Sequence, residues 1–268
     1  MAFEGPLAFL DLEQIDTDLY RGSGETWPGE RVNIYGGQVA AQALLAASLT
    51  VPEGRPPHSL HGYFLRSGDP HRQVVFEVDR DRDGRSFSAR RVAAKQRGEV
   101  IFEMACSFHV PEGGPEFASP PRHPLPAPDG LPSSVGVAWQ GAIEVRAVPL
   151  GGPERTENPI DCMWTRVTVP LPDDPVVHAC LLAFLSDLNG GFGYLGIPGV
   201  PVFGPSIDHA VWFHHAARAD DWILFDCHPL KVGGGRGVYM GSAHDLGGNL
   251  VMMLAQEMLL RSPRPEGS

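Results

Sequence analysis

The chain has 268 residues, of which 43% are hydrophobic and 20% are charged, so it can bury a substantial core and is not disordered as a whole. Its formal net charge of −11 at pH 7 argues against non-specific nucleic-acid binding, because a phosphate backbone requires a basic face. No apolar run is long enough to span a bilayer, and "MAFEGPLAFL" (1–10) has no basic segment of the secretory type. The composition therefore predicts a cytoplasmic protein without membrane insertion.

The N-terminal half begins with a segment that predicts a buried helix, "GGQVAAQALLAASLT" (36–50), since its apolar residues surround the helical axis. Four strand-like runs follow, each separated from the next by turn signals such as Asp83-Gly84 and Arg97-Gly98. The runs cover 59–65, 72–81, 86–96 and 99–110. Short turns between successive strands predict an antiparallel meander.

A proline-rich segment divides the chain: "PEGGPEFASPPRHPLPAPDGLP" (111–132). So many prolines are incompatible with a helix or a ladder-paired strand, and they indicate a stiff, extended linker. We therefore expect an N-terminal domain over 1–112, a linker over 113–135 and a C-terminal domain over 136–268.

The C-terminal half repeats the order of the first. A second helix that is apolar nearly all round is predicted over 174–189, with an acidic start and Pro175 in its first turn. Predicted strands follow at 206–215, 222–232, 236–245 and 249–260. Short stretches also echo each other, and Ser59-Leu60-His61 resembles Ser206-Ile207-Asp208. The sequence thus predicts a tandem α+β protein, in which each antiparallel sheet wraps around one central apolar helix.

Five blocks of sequence resemble the signature blocks of the type II acyl-CoA thioesterases, which are double-hotdog proteins. They are "GGQVAAQALLAA", "HSLHGYFLRSGD", "DGRSFSARRVAAKQ", "IDHAVWFH" and "RG…G…GGNLVMMLAQEMLLR". They occur in the same order as in the family and extend from about residue 30 to 261. The resemblance implies hydrolysis of a fatty acyl-CoA to a free fatty acid and CoA by a directly attacking water, without a covalent acyl-enzyme or a cofactor.

The resemblance also implies a catalytic trio of Asp, Thr and Gln that holds the water. Its Asp matches Asp187 in "FLSDLN", and its Gln matches Gln256 in the last strand. The position of its Thr, two residues before "DH", is occupied by Ser206, which keeps the hydroxyl but lacks the methyl that restricts the rotamer. The glycine-rich segment between Asp187 and Ser206 departs from the family.

The chemistry of these residue types is consistent with such a role, but each has a structural alternative. Asp187 lies in the last turn of an apolar helix, where low dielectric and the negative end of the dipole raise a carboxyl pKa. Alternatively it is a polar residue at an exposed helix end. Gln256 is either a structural bridge or a group that orients water, because an amide takes no proton at neutral pH. Ser206 lacks a G-x-S-x-G elbow, which argues against a covalent serine mechanism.

Further residues are candidates for binding. Free amides near Gly36 and Gly37 could form an oxyanion hole at the helix start, although these glycines could equally serve only a tight turn. His61 could line the pocket or be a structural histidine. Coenzyme A carries phosphates, for which arginines near its entry are expected: Arg66, Arg85, Arg90, Arg91 and Arg236.

Other sites are disfavoured by the sequence. The four cysteines lie in apolar surroundings without a C-x-x-C pair, which predicts buried free thiols and no metal site: Cys106, Cys162, Cys180 and Cys227. "GFGYLG" (191–196) follows a helix instead of a strand, so it is not a dinucleotide motif. In "SIDHAVWFHH" (206–215), strand alternation places Ser206 and Asp208 on one face and His209 on the other. Asp208 and His209 are interpreted as supports of the strand and the domain interface.

The sequence leaves one alternative function open. A catalytically silent double hotdog that binds acyl-CoA, or serves only as a scaffold, would show the same fold. A hotdog hydratase would need a motif that is missing around Ser67–His71. Sheets of this kind leave faces and edges that association can cover, so we expect a homo-oligomer built from dimers of the chain.

Overall fold

A computed structural model describes residues 5–24, 32–121, 126–133, 142–148, 162–188, 192 and 204–261. After a short 3₁₀ helix, Gly5–Leu10, the N-terminal half contains β1 (Glu13–Asp16), β2 (Leu19–Gly22), α1 (Gly36–Ser48), β3 (Pro57–Phe64), β4 (Val74–Asp83), β5 (Phe87–Gln96) and β6 (Glu99–His109). The C-terminal half contains β7 (Ile143–Ala147), β8 (Cys162–Val167), α2 (Pro175–Ser186), β9 (Asp208–Phe213), β10 (Ile223–Gly233), β11 (Arg236–Asp245) and β12 (Leu250–Leu259).

The described strands form one antiparallel sheet that runs through both halves. Their order is β1-β2-β4-β5-β6-β3-β9-β12-β11-β10-β8-β7, so the halves meet where β3 pairs with β9. Both helices pack into the same hydrophobic core against the sheet and against each other. This architecture confirms the predicted α+β fold of two tandem units, each with an antiparallel sheet around an apolar helix.

The predicted meander is wrong for the first strand after each helix. β3 pairs with β6 and β9 and not with its successor β4, and β9 pairs with β12 and β3 and not with β10. Only β4-β5-β6 and β10-β11-β12 are meanders. A turn signal shows only that the chain changes direction. Which strand β3 or β9 pairs with depends on how the sheet buries the helix, and the long-range β3–β6 and β9–β12 ladders achieve that burial.

The helices differ in how their first amides are capped. α1 is rich in alanines that are fully buried, which allows a close approach to the sheet, and its N-cap residue, Tyr35, makes no side-chain capping bond. α2 starts with Pro175, and the side chain of its N-cap, Asp174, accepts a 2.8 Å hydrogen bond from the amide of Val176. The N-terminus of α1 is therefore open to an acceptor from elsewhere.

Part of the proline-rich segment lies against the outer face of the C-terminal sheet. The Trp164 indole donates to the carbonyl of Pro126 at 2.8 Å, and Arg146 donates to that of Pro128 at 2.7 Å. Leu131 packs on a small second core that includes Trp164 and Trp222. Neither α-helix in the described part of the chain is long and apolar enough to cross a membrane.

Candidate active site

One carboxylate joins the two halves of the molecule. Asp187 is the C-cap residue of α2, and its Oδ2 accepts a 2.7 Å hydrogen bond from the amide of Gly37 in the first turn of α1. Asp187 thus provides the cap that α1 lacks locally. Next to it, the Tyr35 hydroxyl donates to the carbonyl of Phe184 at 3.0 Å, which ties the start of α1 to the end of α2.

Gln256 and Ser206 meet at this carboxylate. Gln256 lies on β12 and is almost fully buried, and its Nε2 donates to Asp187 Oδ1 at 3.1 Å and to Ser206 Oγ at 2.5 Å. The structure therefore brings together the three residues selected from the sequence, although 69 and 50 positions separate Gln256 from Asp187 and Ser206.

The predicted strand alternation is wrong for Ser206. It lies before β9, in an isolated bridge with Met258, and β9 proper begins at Asp208. Ser206 and Asp208 consequently contact different groups: Ser206 contacts Gln256, whereas Asp208 pairs with His61. The backbone between them does not keep the two-residue period of a strand.

The surroundings of Asp187 shift its acidity. Asp187 as a residue is partly exposed, yet the protein packed around its carboxyl removes water and raises its pKa, since burial disfavours the charged form. His209, Gln256, Gly37 and Ser206 oppose this shift through charge and hydrogen bonds. The result is a carboxyl with a higher pKa than that of an ordinary Asp.

The glycines at the start of α1 have separate roles. The Gly37 amide is engaged by Asp187, so it is not free to bind an oxyanion. The amide of Gly36 has no hydrogen-bond partner among the described residues, and Gly36 is partly exposed beside the carboxylate. A Cβ atom on Gly36 would lie 2.8 Å from Asp187 Oδ2, so the close approach requires glycine here.

Comparison with known proteins shows the family to which the chain belongs. The family profiles "Acyl-CoA thioesterase N-terminal domain" and "Acyl-CoA thioesterase C-terminal domain" match residues 24–109 and 111–260. A solved acyl-CoA thioesterase II from Mycobacterium marinum is 39% identical, with a TM-score of 0.82 over 97% of this chain and 99% of that one. The chain belongs to the type II acyl-CoA thioesterase family.

Relatives from distant organisms support the same assignment. Acyl-coenzyme A thioesterase 8 from Homo sapiens is 34% identical over 94% of this chain and 87% of its own length. Acyl-CoA thioesterase 2 from Haemophilus influenzae is 32% identical over 94% of this chain and 95% of its own. The similarity covers both halves of the chain, and it confirms the predicted family and the predicted class of enzyme, a thioesterase.

Two residues that we selected for substrate contact, His61 and Arg236, lie on the outer face of this thioesterase's sheet. His61 Nε2 is 3.1 Å from Asp208 Oδ2, and its exposed ring contacts Tyr63. Arg236 lies 3.4 Å from Glu257, whose amide donates to Asp208. This outer network lies directly behind Gln256 and Ser206, so it supports the strands that carry them without facing the carboxylate.

Arg85 lies at the opposite end of the sheet. It belongs to the β4–β5 turn, and its carbonyl accepts a bond from Arg55. β3 begins at that end of the sheet and finishes beside Asp187. The length of β3, roughly 23 Å at about 3.3 Å per residue, therefore separates Arg85 from Asp187.

Three of the other candidate arginines have structural partners. Arg90 is buried against Asp83 and Thr50, and Arg91 pairs with Asp81. Arg66 remains exposed two residues after Phe64, at the end of the sheet that holds Asp187; it donates to the carbonyl of Val100. Arg66 is thus an exposed candidate at the same end of the sheet as the cluster.

From the sequence, His209 was interpreted only as a support of the strand and the domain interface, and Ser186 was missed; both lie buried beside the cluster. His209 is fully buried, and its Nε2 lies 2.7 Å from the equally buried Ser186 Oγ. The inward direction of His209 follows from strand alternation, and that was the available signal. Another missed residue, Tyr35, stands immediately before the Gly-Gly pair.

Within the described ranges, no group of three or more His, Cys, Asp or Glu side chains is arranged to hold a metal ion. All four cysteines are free and buried. The glycine-rich segment that departs from the family, including "GFGYLG", lies outside the described residues except for Leu188, Phe192 and the stretch from Gly204 onward.

Proposed function

We propose that this thioesterase hydrolyses fatty acyl-CoA to a free fatty acid and CoA by direct attack of water, with Asp187, Ser206 and Gln256 as its catalytic residues. One observation carries the proposal. The side chains of Gln256 and Ser206, from separate segments, meet at the carboxyl of Asp187, whose pKa is raised, beside the free amide of Gly36 at the N-terminus of α1.

The reaction follows from this arrangement. Asp187 accepts a proton from the water as its oxygen adds to the thioester carbonyl carbon. The resulting oxyanion is stabilised by the amide of Gly36 and the positive end of the α1 dipole. The intermediate collapses as the C–S bond breaks, and CoA leaves as a thiolate that takes the proton from Asp187.

Ser206 and Gln256 hold the reactants in place. Gln256 is buried and donates to both partners, so its amide fixes the carboxylate and the hydroxyl relative to each other. Ser206 is partly exposed, and its hydroxyl can contact the water directly. The exposed Arg66 is suited to the phosphates of CoA at the same end of the sheet.

Thiol release from acyl-CoAs of short to long chain length tests the proposal. We expect release from the native protein and a large loss of kcat in Asp187→Asn. Asp174→Asn is the matched control, because it changes a carboxylate at the other end of the same helix and Asn caps helices as well as Asp. Absence of release across the series would indicate the catalytically silent alternative, and full activity of Asp187→Asn would contradict the mechanism.

Association of chains is a further part of the proposal. Tyr63 and Trp212 are 49% and 43% exposed and lie on the adjacent central strands β3 and β9. Large exposed aromatics on a sheet face are suited to burial against a second copy. Light scattering of the native protein and of Trp212→Glu tests this, with a lower molar mass expected for the variant.

A further inference from the structure

We propose that Asp208 is a positioning residue, whose carboxylate holds a β-bulge that turns Ser206 towards Gln256. The inference rests on the proposed function and assigns a role to a residue outside the trio. Asp208 belongs to the outer network and contacts His61 there, so it does not touch the reacting atoms. It acts through Ser206.

The pairing of β9 with β12 shows the bulge. Ala255 of β12 pairs with Ala210 of β9. Three residues further along β12, Met258 pairs with Ser206, which lies four residues before Ala210. The segment at the start of β9 therefore contains one residue more than the strand opposite, and such an extra residue is a β-bulge.

The extra residue decides which way Ser206 faces. Residues that lie opposite each other in an antiparallel pair share one face of the sheet, and Met258 belongs to the buried core. Without the bulge, Ile207 would lie opposite Met258, and Ser206 would point to the outer face as Asp208 does. The bulge therefore explains why Ser206 Oγ lies 2.5 Å from Gln256 Nε2.

The carboxylate of Asp208 bonds the strand where the register shifts. The amide of Ile207 donates to the carbonyl of Glu257 at 2.8 Å, and the amide of Glu257 donates to Asp208 Oδ1 at 2.8 Å. A carboxylate is a stronger acceptor than a carbonyl. Its other oxygen, Oδ2, lies 3.1 Å from His61 Nε2 on β3, which fixes its orientation. Asp208 thus links the bulge to both neighbouring strands.

Ser206 depends on this contact more than Gln256 does. Gln256 is also held from β11, where Tyr239 pairs with it. Ser206 precedes β9 and pairs with β12 in an isolated bridge. Loss of the Asp208 carboxylate should therefore displace the hydroxyl of Ser206 and leave the amide of Gln256 in place.

The N-terminal half contains a corresponding bulge without a carboxylate. The register of β3 on β6 shifts between Pro57 and Ser59 in the same way. Ser59 occupies the position of Asp208 there and has no carboxylate. Pro57 occupies the position of Ser206 and has no hydroxyl to hold. The fold therefore builds the bulge in both halves, and the carboxylate occurs where a hydroxyl is positioned.

Two replacements of Asp208 separate its oxygen from its charge. Asp208→Ala removes the acceptor, whereas Asp208→Asn keeps an oxygen for the Glu257 amide, and the exposed His61 ring can accept from its nitrogen. We expect Asp208→Ala to lower kcat by roughly 5- to 10-fold with little change in KM, and Asp208→Asn to stay within about 2-fold.

Ser59→Ala is the matched control, because it changes the corresponding residue of the other bulge, and it should leave kcat unchanged. Steady-state kinetics and thermal unfolding of the three variants measure these effects. Native kcat in Asp208→Ala, or equal losses in the Ala and Asn variants at equal thermal stability, would overturn the proposal.

A double-mutant cycle provides the readout that a merely structural role would not move. In a Ser206→Ala background, Asp208→Ala should change kcat by less than about 2-fold, because the hydroxyl on which it acts is gone. Losses that multiply would contradict action through Ser206. If Asp208→Ala does not fold, Asp208→Val takes its place with the same expected losses, because a β-branched side chain of similar size suits a strand and offers no acceptor.

Failure of this inference is distinguishable from failure of the proposed function. Full activity of Asp187→Asn would remove the proposed mechanism, and the role of Asp208 with it. Loss of activity in Asp187→Asn and Ser206→Ala, together with native kcat in Asp208→Ala or multiplying losses in the cycle, would leave the mechanism intact and overturn only the role of Asp208.

Discussion

The two ends of the helix pair are built alike, but they carry different polar side chains. In each half the strand after the helix pairs with the last strand through a ladder with the same irregularity near its end. Ser206 opposite Met258 corresponds to Pro57 opposite Phe108, and Gln256 corresponds to Cys106. This register corrects the sequence comparison, which aligned Ser206 with Ser59.

The capping of the helix termini also differs between the two ends. The C-cap residue of α2 is Asp187, whereas that of α1 is Leu49. The N-terminus of α1 is capped by Asp187 across the interface, while that of α2 is closed by its own Asp174. Among the described residues, the second end therefore has no carboxylate at the helix C-cap and no uncapped helix start, and Cys106 stands there in place of the amide.

The comparison teaches that duplication of this fold supplies two corresponding places and that these places differ in their side chains. The second end does contain a cavity of about 660 Å³, lined among others by His58, His178 and Phe213. Space alone therefore does not mark the end that holds Asp187. Asp187, Gln256 and the free amide of Gly36 meet at one end, whereas histidines and the carboxylates of Asp173, Asp221 and Asp245 line the other.

Removing the carboxylate at one end and introducing one at the other is the strongest test of this difference. Asp187→Asn should lower kcat by roughly 10²- to 10⁴-fold, the usual contribution of a general base. Adding Leu49→Asp should not restore it, because Pro57 and Cys106 offer no hydroxyl or amide to hold the new carboxylate. Thiol release by the single and double variants measures both effects, and recovery in the double variant would show that the second end is competent.

Filling the space at the open helix start is expected to have the next largest effect. Gly36→Ala places Cβ 2.8 Å from Asp187 Oδ2 and 2.9 Å from the Phe64 ring, so the carboxylate must move. A displacement of about 1 Å can cost roughly 10²-fold in rate. Gly113→Ala is the matched control, since its Cβ meets no atom within 4 Å; steady-state kinetics of both variants should differ by that factor. Equal kcat values would contradict the close approach.

The corresponding amide and thiol should respond differently. Gln256→Ala removes the donor to Asp187 and Ser206 and should lower kcat by roughly 30-fold. Cys106→Ala, at the equivalent position, should leave kcat unchanged and lower stability by about 1 kcal/mol, because it only removes a buried sulfur. Kinetics and thermal unfolding of the two variants check this. A lower kcat in Cys106→Ala would contradict the expected difference between the two ends.

The sequence predicted the elements of the fold better than their pairing. Both helices were predicted within about two or three residues, because apolar runs with glycine and proline boundaries are local signals. The short strands β1, β2, β7 and β8 were missed: β1 is exposed throughout, and β8 is almost wholly buried, so neither alternates. The β3–β6 and β3–β9 ladders depend on contacts between distant segments, which turn signals cannot report.

The candidate site was predictable only in part. Composition and spacing left Asp187 indistinguishable from an ordinary helix end, and only the resemblance to the family selected it together with Ser206 and Gln256. His61 and Arg236 were selected by residue type, but the register turns them to the outer face. His209 was visible as a histidine, but its contact with Ser186 requires the packing of α2 on β9.

The acidity of Asp187 predicts the direction of the pH dependence. Burial raises its pKa, and the base must be ionised to accept a proton. As pH falls through this raised value, kcat/KM should fall about tenfold per unit, starting at a higher pH than for an ordinary Asp. The control is the residual rate of Asp187→Asn, which should lack this limb. A profile of the native enzyme that is flat down to the ordinary Asp range would contradict the shift.

Ser206 is where the chain departs from the family's threonine, and restoring the methyl should have the smallest effect. The hydroxyl lies 2.5 Å from Gln256 Nε2, so the amide already holds it in place. The added methyl of Ser206→Thr would restrict a rotamer that this bond selects, and the partly exposed position has room for it. We expect kcat within about 3-fold of the native value, against a roughly 10-fold loss in Ser206→Ala, where the hydroxyl itself is removed. Kinetics of the two variants decide whether the hydrogen bond to Gln256 or the methyl group positions the hydroxyl. A large gain in kcat in Ser206→Thr would mean that Gln256 alone does not hold the Ser206 hydroxyl in place.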